Sequence, residues 1–122
     1  MEDKADNITW KVFGFYILII VLMLTSNLAF SQISVSQFNA DWNKANSVKW
    51  IDKLKDVKTL SYVDISTSPA IQKKHKIAVI PTIIIFKDGE EVARFQADLS
   101  FKMLATREEV QEEIDNQLMS DF

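Results

Sequence analysis

Ile80-Pro81-Thr82-Ile83-Ile84-Ile85-Phe86-Lys87-Asp88-Gly89-Glu90 is the stretch on which the fold turns. Residues 82–86 are β-branched or aromatic throughout, with apolar side chains at odd and even positions alike. That is the pattern of an interior strand covered on both faces. The Asp88-Gly89 pair tolerates positive φ and predicts a tight hairpin. Val92-Ala93-Arg94-Phe95 then alternates as the return strand. Pro81 stands directly before the first of these strands, and an X-Pro bond is the type that can turn cis at modest cost.

Working outward, Thr106-Arg107-Glu108-Glu109 reads as a capping box. Val110, Ile114 and Leu118 follow four apart, one apolar stripe of a closing helix. On the other side, Ser68-Pro69 is a helix start: Ser can cap free amides and Pro fits the first helical position, so a helix is predicted to about Lys76. Residues 60–66 and 33–40 read as strands. Between them, residues 41–55 carry Val48, Ile51 and Leu54 at helical spacing with Trp50 alongside, which predicts a helix. The order is βαβαββα. Two βα units give parallel strands with right-handed crossovers, and the hairpin adds antiparallel ones. The expected architecture is α/β, a small three-layer sandwich on a mixed four-stranded sheet spanning residues 32–122.

Residues 1–31 read differently. Residues 12–24 (VFGFYILIIVLML) carry no charge. As a helix they would span roughly 20 Å, short of the ~30 Å hydrocarbon layer, and they suit the apolar core of a secretory signal. Ala29-Phe30-Ser31 offers small residues for cleavage before Gln32. Against this, Lys4 and Lys11 are outnumbered by Glu2, Asp3 and Asp6, so an uncleaved membrane anchor held by Lys11 stands as the alternative. Either way the expectation is an N-terminal hydrophobic helix and an extracytoplasmic domain, periplasmic or secreted, or anchored and facing outward. Membrane contact would run through residues 12–30 only.

Composition narrows the function classes. Of 122 residues, 48% are hydrophobic and 25% charged, which excludes a disordered chain. A net charge of −3 argues against a nucleic-acid surface, which needs clustered Lys and Arg. The sequence contains no cysteine, which removes disulfides, thiolate metal sites and any cysteine nucleophile. His75 is the one histidine. No metal or cofactor is expected, and the acidic face of Glu108, Glu109, Glu112 and Glu113 lacks the closely spaced loop oxygens of a calcium site.

With these elements in place the sequence resembles the thioredoxin family. Ile80-Pro81-Thr82, the apolar strand and Lys87-Asp88-Gly89-Glu90 resemble the family's cis-proline loop, strand and hairpin turn. Phe38-Asn39-Ala40-Asp41-Trp42 resembles the segment leading into its Cys-x-x-Cys motif, and Val63-Asp64-Ile65, Ser68-Pro69 and His75-Lys76-Ile77 keep the family's order. The resemblance covers roughly residues 33–119. It departs where function is decided: Trp42-Asn43-Lys44-Ala45-Asn46 stands in place of the redox motif, with Asn at both cysteine positions, and Gln37 replaces the family's buried acid. The family's usual extra N-terminal βα unit does not fit between Gln32 and Ile33, which leaves a core nearer the glutaredoxin-sized minimum.

Each residue has a plain reading beside a functional one. Asn43 would serve as the N-cap of the first helix, with partner contact as the alternative. Trp42 and Trp50 are core or rim aromatics, Trp42 bordering the former redox motif. His75 takes a position that is aromatic in the family and packs behind the cis-proline loop. Lys73-Lys74-His75-Lys76 is a solvated face or a contact for anions. The resemblance implies a groove bounded by Trp42, Asn43, Ile80, Pro81 and Thr82 that pairs with an extended peptide. The resulting expectation is an exported, redox-inactive domain that binds protein as an accessory or chaperone-like module. A membrane-tethered structural component and an enzyme of non-thiol chemistry are the alternatives.

Overall fold

The computed structural model describes residues 14–18 and 31–121. Residues 14–18 are helical, with Phe15, Tyr16, Ile17 and Leu18 exposed; the rest of the expected leader or anchor lies outside the described residues. Among the described residues no helix is long and apolar enough to cross a membrane.

Residues 31–121 fold around four strands: β1 (Ile33–Asn39), β2 (Thr59–Asp64), β3 (Thr82–Lys87) and β4 (Glu90–Gln96), in the order β2-β1-β3-β4. β1 and β2 are parallel, while β3 is antiparallel to both β1 and β4. Asp88 (φ 52°) and Gly89 (φ 86°) both take the left-handed conformation, as a tight two-residue hairpin between twisted strands requires. The Ile80–Pro81 bond is cis.

Burial explains the run of isoleucines in β3. Ile83 and Ile85 join Ile33, Val35, Val48, Ile51, Val110 and Ile114 in one core. Ile84 turns to the other face and packs with Phe38, Ile65, Ile77 and Ile80. All three isoleucines are fully buried, each stabilising the fold by about 1.5–3 kcal/mol relative to exposure. Two short helices, α1 (Pro69–Lys74) and α2 (Arg107–Met119), cap the sandwich. Thr106 caps α2, accepting from the Glu109 amide at 3.2 Å.

Four expectations are corrected. The helix over 41–55 is instead a pair of 3-10 turns, Asp41–Asn46 and Lys49–Lys53. Val48, Ile51 and Leu54 recur every three residues, the 3-10 period, and side-chain amides from β1 occupy backbone groups that an α-helix would need. Ala40, not Asn43, stands at the N-cap, and Asn43 lies inside the first turn. The second helix stops at Lys74 rather than near Lys76, and Ser68 makes no side-chain cap. Lys76 is left-handed (φ 53°), its amide donates to Lys73, and the Ile77 amide donates to Gln72 (3.3 and 3.0 Å), a full Schellman closure.

Candidate functional site

The positions that resemble a redox motif hold a closed set of amides. Asn39, at the end of β1, donates from Nδ2 to the Asn43 carbonyl (3.2 Å) and to Ser47 Oγ (2.9 Å). Asn43 Nδ2 donates back to Asn39 Oδ1 (3.0 Å), and Asn46 Nδ2 donates to Asn43 Oδ1 (2.8 Å). Beside them Gln37 behaves like a backbone peptide: it accepts from the Val48 amide (2.7 Å) and donates to the Val48 carbonyl (3.2 Å). Asn43 is only 4% exposed, and Gln37 and Asn39 are buried. Among the described residues no buried side-chain nitrogen or oxygen lacks a partner. Gln37, Asn39 and Asn43 are neutral, hydrogen-bonded and turned inward, while Asn46 joins them from an exposed position.

Above this floor the surface is apolar. Trp42 is 68% exposed and meets the Phe101 ring edge-on, centroids 5.5 Å apart. With Ile77, Val79, Ile80 and Leu99 they line a groove of about 340 Å³. Among the described residues no backbone group pairs with the amide or carbonyl of Ile80. Of the residues assigned to the groove from sequence, Trp42 and Ile80 line it; Asn43, Pro81 and Thr82 are buried and do not line it. Thr82 Oγ1 donates to the Val79 carbonyl at 2.6 Å and so fixes the loop from below. Lys44, Ala45 and Asn46 are exposed and do not line the groove.

Leu99 and Phe101 were not singled out by sequence reasoning. They sit on a loop closed by Asp98, whose Oδ1 accepts from the Ser100 amide (2.8 Å), the Ser100 hydroxyl (2.6 Å) and the Lys102 amide (3.0 Å). The Ser100 hydroxyl, then the Lys102 amide, hold the Asp98 carboxyl below its ordinary value. The result is a rigid turn that holds Leu99 91% exposed and forces Phe101 to φ 66°, an uncommon conformation for a bulky residue. An Asp-x-Ser step is the one local signal for such a turn.

The opposite wall is held from β4. Arg94 donates to the carbonyls of His75 (2.6 Å) and Lys76 (3.0 Å), and Glu91 orients its guanidinium. The His75 ring packs between Phe38 and Phe86, centroids 5.3 and 5.6 Å away, which makes it a packing residue. A second depression, of about 440 Å³, lies between Lys53, Lys55 and α2. Gln111 clasps the Lys55 backbone there, accepting from its amide (2.7 Å) and donating to its carbonyl (3.1 Å), a structural tie.

Comparison with known proteins bears on this geometry. The family model described as Thioredoxin matches residues 31–110. Two chloroplastic Y-type thioredoxins of Arabidopsis thaliana are 41% and 34% identical over 56 residues, 46% of this chain and 33% and 34% of theirs. A thioredoxin of Chlamydia trachomatis is 47% identical over 36 residues, 30% of this chain and 35% of its own. The matched segment thus spans about a third of these relatives' length. Among solved structures, a mutant thioredoxin from Halobacterium salinarum superposes with a TM-score of 0.54 at 18% identity, covering 71% of this chain and 75% of that one. A thioredoxin-2 of the malaria parasite gives 0.56 at 22% identity, covering 70% and 84%. At such identities these structures show the fold.

Proposed function

The chain belongs to the thioredoxin family, and from that premise we propose that it is an exported module that binds an extended segment of another protein in the groove under Trp42. With no cysteine in its sequence, it cannot pass electrons between thiols and disulfides, because exchange needs a thiolate to attack sulfur. What remains is a binding surface. The observation that carries this reading is the pairing of exposed Trp42 with Leu99 and Phe101 beside the unpaired backbone of Ile80. An extended peptide would take main-chain hydrogen bonds from Ile80 and place an apolar side chain against the Trp42 and Phe101 rings. Export rests on the apolar run at residues 12–24 and the small residues before Gln32.

The test is selection of displayed peptides on the full chain, followed by titration against Trp42→Ala and Leu99→Ala. Both variants should lose the selected peptides, and unchanged binding by folded variants overturns the groove reading. Mass spectrometry of the native N-terminus tests export. A start at Gln32 supports a cleaved leader, an intact residue 1 in a membrane fraction supports the tethered alternative, and an intact chain in the cytosol defeats both.

A further inference from the structure

The groove under Trp42 does not end at Ile77. A further depression, of about 460 Å³, is lined by Pro69, Gln72, Lys73, Lys76, Ile77 and Ala78. It shares Gln72, Ile77 and Ala78 with the groove, so the two hollows adjoin along that wall. The wall is fixed: the Ile77 amide donates to the Gln72 carbonyl (3.0 Å), and Gln72 Nε2 donates to the Ile77 carbonyl (3.4 Å). Beyond it the surface changes character. Residues 65–87 contain four lysines and no Asp or Glu, in a chain whose net charge is −3. Lys73, Lys74 and Lys76 are all exposed.

Lysines at a helix C-terminus often cap its last carbonyls. These do not. The carbonyls of His75 and Lys76 accept from Arg94, which Glu91 pairs at 2.7 Å, and the Schellman closure takes those of Gln72 and Lys73. Among the described residues none of the three ammonium groups has a hydrogen-bond or ion-pair partner. The opposite side of the groove carries the other sign. Asp98 lines the groove and does not line the depression. Asp41 and Asp64, sequence neighbours of Trp42 and Ile65, are tied together there, Asp64 Oδ1 accepting from the Asp41 amide at 3.3 Å. An apolar floor therefore runs between carboxylates at one end and unpaired lysines at the other.

We propose that the groove selects its segment by charge: the segment has an apolar side chain for the Trp42–Phe101 pocket and acidic side chains on the one flank that crosses Lys73 and Lys76. This rests on the groove reading and adds the chemical class of what it binds. Lys73 and Lys76 attract the acidic flank, and Asp98 repels an acidic residue on the other, so charge sets which way the segment lies. Exposed ion pairs are individually weak. Their effect is to choose among apolar segments, while the rings of Trp42 and Phe101 supply the anchor.

The experiment pans a random peptide library with one fixed Leu against the full chain. Asp and Glu should be enriched on a single flank of the Leu and depleted on the other. A selected acidic peptide and its copy with Asn and Gln in place of Asp and Glu are then titrated. The acidic form should bind about fivefold more tightly at low salt, and the two should converge at high salt. Lys73→Gln with Lys76→Gly neutralises the patch and keeps the fold, because Gly is the residue a left-handed closure favours. That variant should bind the acidic peptide about fivefold more weakly and the neutral copy unchanged. If it does not fold, Lys73→Gln alone should give about a twofold loss with the acidic peptide only. No flank preference, or a preference that survives in the lysine variant, overturns the proposal and leaves the groove reading standing. A library that yields no binder, or peptides that bind Trp42→Ala as tightly as the unmodified chain, overturns both. Vesicles of anionic lipid present the rival occupant. Their capture through Lys73 and Lys76, with no acidic preference among peptides, assigns the patch to a membrane surface and overturns the proposal.

Discussion

The floor and the rim of the site meet at the turn of residues 41–46 yet are made of opposite materials. The floor, Gln37, Asn39, Asn43 and Asn46 with Ser47, spends its amide hydrogen bonds on itself and on nearby backbone. The rim, Trp42 with Leu99 and Phe101, is exposed apolar surface held in place by a polar turn at Asp98. The difference teaches where function can reside. A largely buried, hydrogen-bonded and uncharged cluster specifies shape, whereas exposed rigid aromatics are what an interface uses as anchors.

The harshest way to break this contrast is Asn39→Leu. It deletes the hub of the floor and leaves the Asn43 amide, the Asn43 carbonyl and the Ser47 hydroxyl without their partner. The expected loss is about 3 kcal/mol or more in urea unfolding, from stranded buried polar groups. A loss below about 1 kcal/mol would mean the cluster does not hold the turn. Next comes cysteine at both Asn43 and Asn46. Position 43 points inward under a 3-10 turn, with no long helix to stabilise a thiolate, so insulin reduction should stay near background while stability falls by about 2 kcal/mol. Brisk turnover by this variant would show that the floor opens.

Trp42→Ala sharpens the other side of the comparison. It should weaken a bound peptide by about 1–3 kcal/mol in titration, yet shift the unfolding midpoint by the equivalent of less than about 1 kcal/mol. Equal losses in both measurements would make Trp42 a core residue. The mildest test is pH. The Asp98 carboxyl is held below its ordinary value in the folded chain, so the stability it lends is fully present above that ordinary value and is lost as pH falls through the depressed one. The floor has no ionisable group. In acid, the Ser100 and Lys102 amide resonances should therefore move while the Val48 amide stays fixed, and simultaneous movement of all three would deny the separation. Asp64, held down by Ser66, titrates in the same direction.

Much of the scaffold is legible in the chain alone. The β3 run, the Asp88-Gly89 turn, the Thr106 cap and the Ile80–Pro81 loop each depend on neighbours in sequence, and the absence of cysteine settles the fate of dithiol chemistry without any coordinates. Three features were decided only by tertiary structure. Residues 41–55 form 3-10 turns because Gln37 and Asn39, on a different element, engage Val48, Asn43 and Ser47. The rim exists because Trp42 and Phe101 meet across 59 positions of sequence. β2 lies at an end of the described sheet because it lands outside β1 in the strand order. Local propensity fixes backbone shape through contacts a few residues long. Which side chains share a pocket, and which strand lies at the end of the sheet, depends on long-range packing that no single stretch of sequence contains.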